Sequence, residues 1–277
     1  MWTADRCSGG INPGCLGTNA DPINKFDESG KRLRSFGGGM FAWPHGLHVD
    51  RDGNIWWGAG RLNAIMKLDT KTEKTEMFTI PVPDQLTAGS IMNVSKATGG
   101  DPNPPIRPGT YGFASDSEGK IWFGEHTLGA INSFNPKTGA FKRHEIPGGI
   151  SNPRGVAVDA NDVVWFSTYV LHKLGKYDQK TGEMKLYQPP TEHASPYGVL
   201  VSRKTGYVWF ADPVGSHVTR FDPRTEQFVE YSLPTLDGFA RFIGEDSQGR
   251  ICFTEFMASK IGCLAPGDVM QRAVTTH

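Results

Sequence analysis

With 277 residues and 29 basic against 29 acidic side chains, the chain is electrically balanced at neutral pH. That balance removes the usual electrostatic case for nucleic acid or an anionic membrane as partner. No apolar run reaches the length of about 18 residues that a membrane-spanning helix needs, and the size suits one all-β domain with a substantial core.

In chain order, one pattern recurs six times: a short apolar strand, Asp-x-x-Gly, an aromatic pair, a polar hairpin, an Asp-Pro-x-Thr-Gly turn and an outer strand. Trp2 begins an incomplete copy that residues 22–26 and 31–36 continue. Trp56, Trp122, Trp165 and Trp209 anchor the next four, and Cys252 fills the same slot in the last, at intervals of 66, 43, 44 and 43 residues. The long first interval holds a Pro/Gly/Asn/Thr-rich stretch at about 82–107, which reads as an inter-blade surface loop.

The copy from Tyr111 shows how each unit is built. Strands are predicted at 111–115, 120–124, 130–134 and 140–146, with turns at 116–119 and 135–139. Asp, Asn and Gly in the turns supply backbone conformations that β-branched residues resist. Repeats of this length and composition predict a β-propeller, a single all-β domain over 1–277. It would have six blades of four-stranded antiparallel sheet, or seven if the natural chain is longer. Trp56-Trp57, Trp122-Phe123, Trp165-Phe166 and Trp209-Phe210 are then packing between blades, not a carbohydrate platform.

Met1-Trp2-Thr3 runs directly into strand, so a first strand and a leader are expected to be missing from this end. Residues 269–275 are an alternative source for the missing strand. The cysteines fall into two local pairs, Cys7 with Cys15 and Cys252 with Cys263, the second on consecutive strands. Disulfides and an extracytoplasmic location, periplasmic or secreted, are the expectation.

Superposing the copies places equivalent residues on rings around the mouth of a propeller channel. At the start of the first strand these are His45, Tyr111, Arg154, Tyr197 and Arg241, all polar where a buried strand would take Val or Ala. A second ring follows the aromatic pair: Asp5, Ala59, Glu125, Thr168, Asp212 and Glu255, flanked by Arg6, His126 and Tyr169. The arginines suit a carboxylate or enolate oxygen, and Tyr111, Tyr197, Tyr169 and Arg6 suit substrate contacts. Glu125, His126 and Glu255 could hold a divalent cation, Mg or Ca, or act as acid and base. Asp212, before Pro213, reads more simply as a turn cap. His172 and His217 fall in hairpins, His193 descends toward the mouth, and His144 on an outer strand is expected at the surface. The partner expected is a small molecule bound by a monomer.

Pro44-His-Gly46, Ile121-Trp-Phe-Gly-Glu125, Pro153-Arg-Gly155, Pro196-Tyr-Gly198, Val208-Trp-Phe210 and Ile251-Cys-Phe-Thr-Glu255 resemble the repeats of the virginiamycin B lyase, or streptogramin lyase, family. The resemblance implies a propeller that opens a cyclic depsipeptide by magnesium-assisted β-elimination. A histidine of a Glu-x-His-Gly motif would be the base, with that glutamate and another at the end of the next strand on the metal. His45 matches the base, whereas Trp43 and Ala59-Gly60 stand where the two glutamates would be. On this reading His45 takes the proton, and Arg154, Arg241 or a cation stabilises the enolate. Two alternatives remain: a six-bladed metal-dependent lactonase using Glu125, Asp212 and Glu255, and a non-catalytic propeller presenting loop 82–107 to a protein or glycan.

Overall fold

A computed structural model describes residues 2–4, 19–27, 29–38, 44–59, 63–82, 109–127, 129–235 and 237–264, with backbone alone at 2–4 and 44–45. Among these residues every regular element is a β-strand, and no helix is long and apolar enough to cross a membrane. The fold is a β-propeller of antiparallel sheets, as expected. Arg6, Asp5, Cys7, Cys15, Trp43, Gly60, the stretch 269–275 and all but the first residue of the 82–107 loop lie outside the described residues.

The chain divides into two compact units, Met1–Thr110 and Tyr111–His277. In the first, β1 (Trp2–Ala4), β2 (Ile23–Phe26) and β3 (Arg32–Phe36) form one sheet in sequence order. A second sheet is the meander β4 (Pro44–Val49), β5 (Ile55–Ala59), β6 (Ala64–Leu68) and β7 (Thr75–Thr79). Ile23 of one sheet packs with Ile55, Trp57 and Leu68 of the other.

The second unit holds four more sheets. The first is β8 (Thr110–Ser115), β9 (Ile121–Glu125), β10 (Ala130–Asn135) and β11 (Ala140–Glu145). The next is β12 (Val156–Val158), β13 (Val163–Thr168), β14 (Lys173–Asp178) and β15 (Met184–Tyr187). Then come β16 (Val199–Val201), β17 (Val208–Asp212), β18 (His217–Asp222) and β19 (Gln227–Ser232), and finally β20 (Ala240–Glu245), β21 (Ile251–Glu255) and β22 (Lys260–Leu264). Four strands per sheet were expected throughout; the first and last sheets have three among the described residues.

Side chains alternate between the two faces of a strand, so each aromatic pair serves two neighbours. Trp122 packs in one cluster with Phe166 of the following sheet. Trp165 likewise joins Phe210, and Trp209 joins Phe253. All of these rings are buried, so the aromatic pairs are core.

The Asp-x-x-Gly turn is a small hydrogen-bonded device. Asp116 accepts at Oδ1 from the backbone N–H groups of Glu118 and Lys120, at 3.0 and 2.9 Å, and at Oδ2 from the indole of Trp122 at 3.0 Å. Asp50 holds Trp56 and Asp159 holds Trp165 in the same way. Where Ser202 replaces the aspartate, the Trp209 indole N–H has no hydrogen-bond partner among the described residues. One carboxylate therefore closes the turn and aims the core tryptophan behind it.

Cys252 and Cys263, opposed across β21 and β22, are joined by the expected disulfide. His144 departs from its surface reading. Its ring packs against Trp122 of its own sheet at 5.1 Å and Tyr177 of the next sheet at 4.6 Å between centroids. Burial first, and then the Lys142 charge, bring its pKa down to about 4.

Candidate functional site

The Pro-x-Gly motifs bring the ring residues of the second unit together. An ideal Cβ at Gly112 would lie 2.4 Å from the carbonyl oxygen of Arg154, one at Gly155 2.4 Å from that of Tyr197, and one at Gly198 2.5 Å from that of Arg241. Glycine at each of these positions thus lets the next sheet's ring residue approach. Gly198 also donates its N–H to the Arg241 carbonyl at 3.0 Å. Buried Ser167 adds a tie, accepting from the Gly155 N–H at 2.7 Å and donating to the Tyr197 carbonyl at 2.8 Å.

Four side chains from four consecutive sheets meet as a result. The Tyr111 and Tyr197 hydroxyls are hydrogen-bonded to each other. Arg154 donates through Nη1 to the Tyr197 oxygen at 2.9 Å, and Arg241 donates to it through Nη2. Arg241 Nη2 also reaches the Tyr111 oxygen at 3.4 Å. The guanidinium of Arg154 stacks on Tyr169 at 4.5 Å and Tyr197 at 4.8 Å, and that of Arg241 on Tyr197 and Phe256, both at 4.8 Å. Tyr111 and Tyr197 are buried, and the two arginines are half-buried.

Electrostatics separates the two phenols. Burial alone would raise Tyr197, but hydrogen bonds from Tyr111 and Arg241 and the charges of both arginines outweigh it and hold its pKa below the usual phenol range. Tyr111 moves the other way, raised first by burial and then by the charge and hydrogen bond of Tyr197. Arg241 is lowered by burial yet raised overall by its bond to Tyr197 and the charge there. Among the described residues, no carboxylate pairs with Arg154 or Arg241. Their only side-chain acceptors there are Asn152, which takes the Arg154 Nε–H at 2.7 Å, and the two phenols. Arg241 Nε is buried without a partner there. Arg154 Nη2 and Arg241 Nη1 have no hydrogen-bond partner among the described residues, which leaves donors for a ligand oxygen.

The other expected site residues stand differently. His45 lies on β4 in the first unit, and its side chain is outside the described residues. Glu125 turns toward the outer strands, accepting from Asn132 Nδ2 at 2.8 Å and from Arg143 Nε at 3.1 Å. His126 packs its ring against Tyr111 at 5.5 Å. Glu255 is buried beside Gly238, with Oε2 unpartnered among the described residues. Asp212 caps its hairpin, Oδ1 accepting from the backbone N–H groups of Ser195, Val214 and Gly215 at 2.9, 3.1 and 3.0 Å. His193 is an exposed residue beside Glu192. No three His, Cys, Asp or Glu side chains among the described residues come together so as to hold a metal ion. The described donor set does not fit a divalent cation, because Glu125 is already neutralised by Arg143.

Asn152, Ser167, Phe239, Phe242 and Phe256 were not singled out from the repeat pattern. Asn152 could have been found as the polar residue two before Arg154. The phenylalanines differ from the residues at matching positions in other copies, a signal visible only once the copies are aligned on the site.

These sheets and their converging polar ring define the chain as a β-propeller with a guanidinium-lined candidate ligand site. Residues 104–277 match the pattern of the virginiamycin B lyase family, and the chain belongs to that family. Solved structures share the fold. A catalytically inactive virginiamycin B lyase from Staphylococcus aureus with quinupristin is 21% identical, the match covering 90% of this chain and 76% of that one at a TM-score of 0.72. A streptogramin B lyase is 22% identical over 100% of this chain and 88% of the other, with a TM-score of 0.73. The nidogen/laminin complex contains a chain of the same architecture at 9% identity, covering 90% and 87% with a TM-score of 0.66.

Proposed function

We propose that the protein is a carbon–oxygen lyase that opens a small ester or cyclic depsipeptide by β-elimination. The observation that carries this reading is the convergence of Arg154 and Arg241, without carboxylate partners among the described residues, on one phenolic oxygen, with Arg154 Nη2 and Arg241 Nη1 left without acceptors among those residues. Membership of the family supports the reaction class, and a relative crystallised with quinupristin supports the size and kind of substrate.

In such a reaction a base removes the proton alpha to the ester carbonyl. The C–H electron pair forms the Cα=Cβ bond, the Cβ–O bond breaks and a carboxylate leaves. Charge develops on the carbonyl oxygen as the proton departs, and a fixed guanidinium donor placed there is worth most at that moment. Arg154 and Arg241 take this role, with Asn152 orienting Arg154 and the stacked rings of Tyr169 and Phe256 holding both planes. The base is assigned to His45 by the family resemblance. The Cys252–Cys263 disulfide supports an extracytoplasmic setting.

The test is incubation of purified protein with quinupristin. Elimination yields a linear product with a new conjugated alkene and no added water. A product heavier by one water signifies hydrolysis, and an unchanged ligand that remains bound signifies a binding module; either outcome defeats the proposal.

A further inference from the structure

We infer that Arg154 and Arg241 form a carboxylate-binding site, selective for a carboxylate on an aromatic or similarly flat apolar body, which retains the carboxylate that elimination releases. The inference rests on the lyase reading for the origin of that carboxylate, not for its capture.

The argument starts from charge. The side-chain acceptors of the two guanidiniums among the described residues are an amide, Asn152, and two phenols, Tyr111 and Tyr197. These satisfy individual N–H groups, yet a neutral acceptor leaves a guanidinium charge in place. Burial first, and then the charge of Tyr197, raises Tyr111, which stays uncharged at neutral pH. Even full ionisation of Tyr197 would offset one of the two positive charges. At least one remains in a half-buried setting, where cations are retained with an opposite charge beside them.

The unused donors say what form that charge takes. Arg154 Nη2 and Arg241 Nη1 lack acceptors among the described residues, and Arg241 Nε is buried without one. A carbonyl oxygen could occupy some of these donors but would leave the charge uncompensated. A carboxylate brings two acceptor oxygens and the missing charge together.

The walls select the body that carries it. Phe242 occupies the slot held by Gly155 and Gly198 in the preceding copies, and it is 49% exposed with its ring 6.1 Å from that of Tyr197. Phe256, 57% exposed, lies under the Arg241 guanidinium, and Phe239 packs against Phe256 at 6.4 Å. Exposed rings beside a cation disfavour a small, fully hydrated anion and suit an apolar or aromatic group joined to the carboxylate. In the elimination the C–O electron pair stays on oxygen and the proton goes to the base, so a neutral ester becomes an alkene and a carboxylate. The product thus gains the charge that the arginine pair lacks.

Calorimetry at fixed ionic strength tests the site with benzoate, acetate and benzamide, the last being a neutral analogue of benzoate. Benzoate should bind the wild-type chain roughly tenfold more tightly than either of the others. Arg154→Met and Arg241→Met should each weaken benzoate by about the same factor and change benzamide far less, and Phe256→Ala should bring benzoate toward acetate. Benzamide binding as well as benzoate overturns the inference, as does undetectable benzoate binding or unchanged benzoate affinity in both arginine variants. The benzoate and benzamide comparison needs only the wild-type chain, so it decides the matter even where a variant fails to fold. Selective benzoate binding with quinupristin left unconverted upholds the carboxylate site and defeats the lyase reading alone.

Discussion

Arg143 donates its Nε–H to both oxygens of Glu125, 3.1 Å from Oε2 and 3.3 Å from Oε1, reaching from β11 to the end of β9. Glu125 is 1% exposed, so this carboxylate depends on its partner. Arg143→Met should therefore destabilise the protein by about 3–5 kcal/mol, the usual cost of leaving a buried charge uncompensated. Glu125→Gln should cost less, because the amide can still accept. Urea denaturation of both variants checks the order, and the reverse order would assign Glu125 to something other than this pair.

Removing one oxyanion donor from a preorganised site typically lowers kcat by roughly 10²–10³-fold. Arg241→Met should show that loss in alkene formation from quinupristin while keeping the wild-type denaturation midpoint within experimental error. Arg241→Lys should not restore activity, since an ammonium cannot reproduce a guanidinium fork stacked between Tyr197 and Phe256.

The base assignment to His45 has its own test. His45→Ala should abolish alkene formation, with the circular dichroism spectrum unchanged. Full activity in that variant removes His45 as the base and leaves the roles of Arg154 and Arg241 to be judged separately.

The tryptophan anchors should respond unequally to substitution. Trp122→Phe forfeits the indole bond and leaves a buried oxygen of Asp116 unpaired, whereas Trp209→Phe loses a donor with no partner among the described residues. The first should therefore cost about 1–3 kcal/mol more than the second, read from paired denaturation curves.

His144 makes stability depend on pH. Its folded pKa of about 4 lies below the ordinary 6.5, so between those values the unfolded chain binds the extra proton. The stabilisation is present above 6.5 and is lost progressively as pH falls toward 4. His144→Phe should flatten that part of the thermal stability profile. A profile of unchanged slope would show that the imidazole titrates normally.

Much of the fold was legible because its signals are local. An aspartate that caps its own turn and binds a tryptophan six residues on needs no distant partner, so the repeat could be read from spacing. The reading of His144 as a surface residue failed because strand alternation says which face a side chain takes, not what the neighbouring sheet lays over it. The partner of Glu125 was out of reach of local spacing for the same reason. The position of Glu125 at a strand end was evident, while Arg143, eighteen residues later, determines where its charge is spent.

The amino-acid sequence alone determined the repeat, the all-β class, the core aromatics and the list of ring positions, since each depends on alternation and turn chemistry within about forty residues. Only tertiary structure decided that Tyr111, Arg154, Tyr197 and Arg241 share one cluster and that a single phenolic oxygen receives both guanidiniums. Hydrogen bonds between sheets act through space, and no local pattern records which of several polar side chains will become the acceptor.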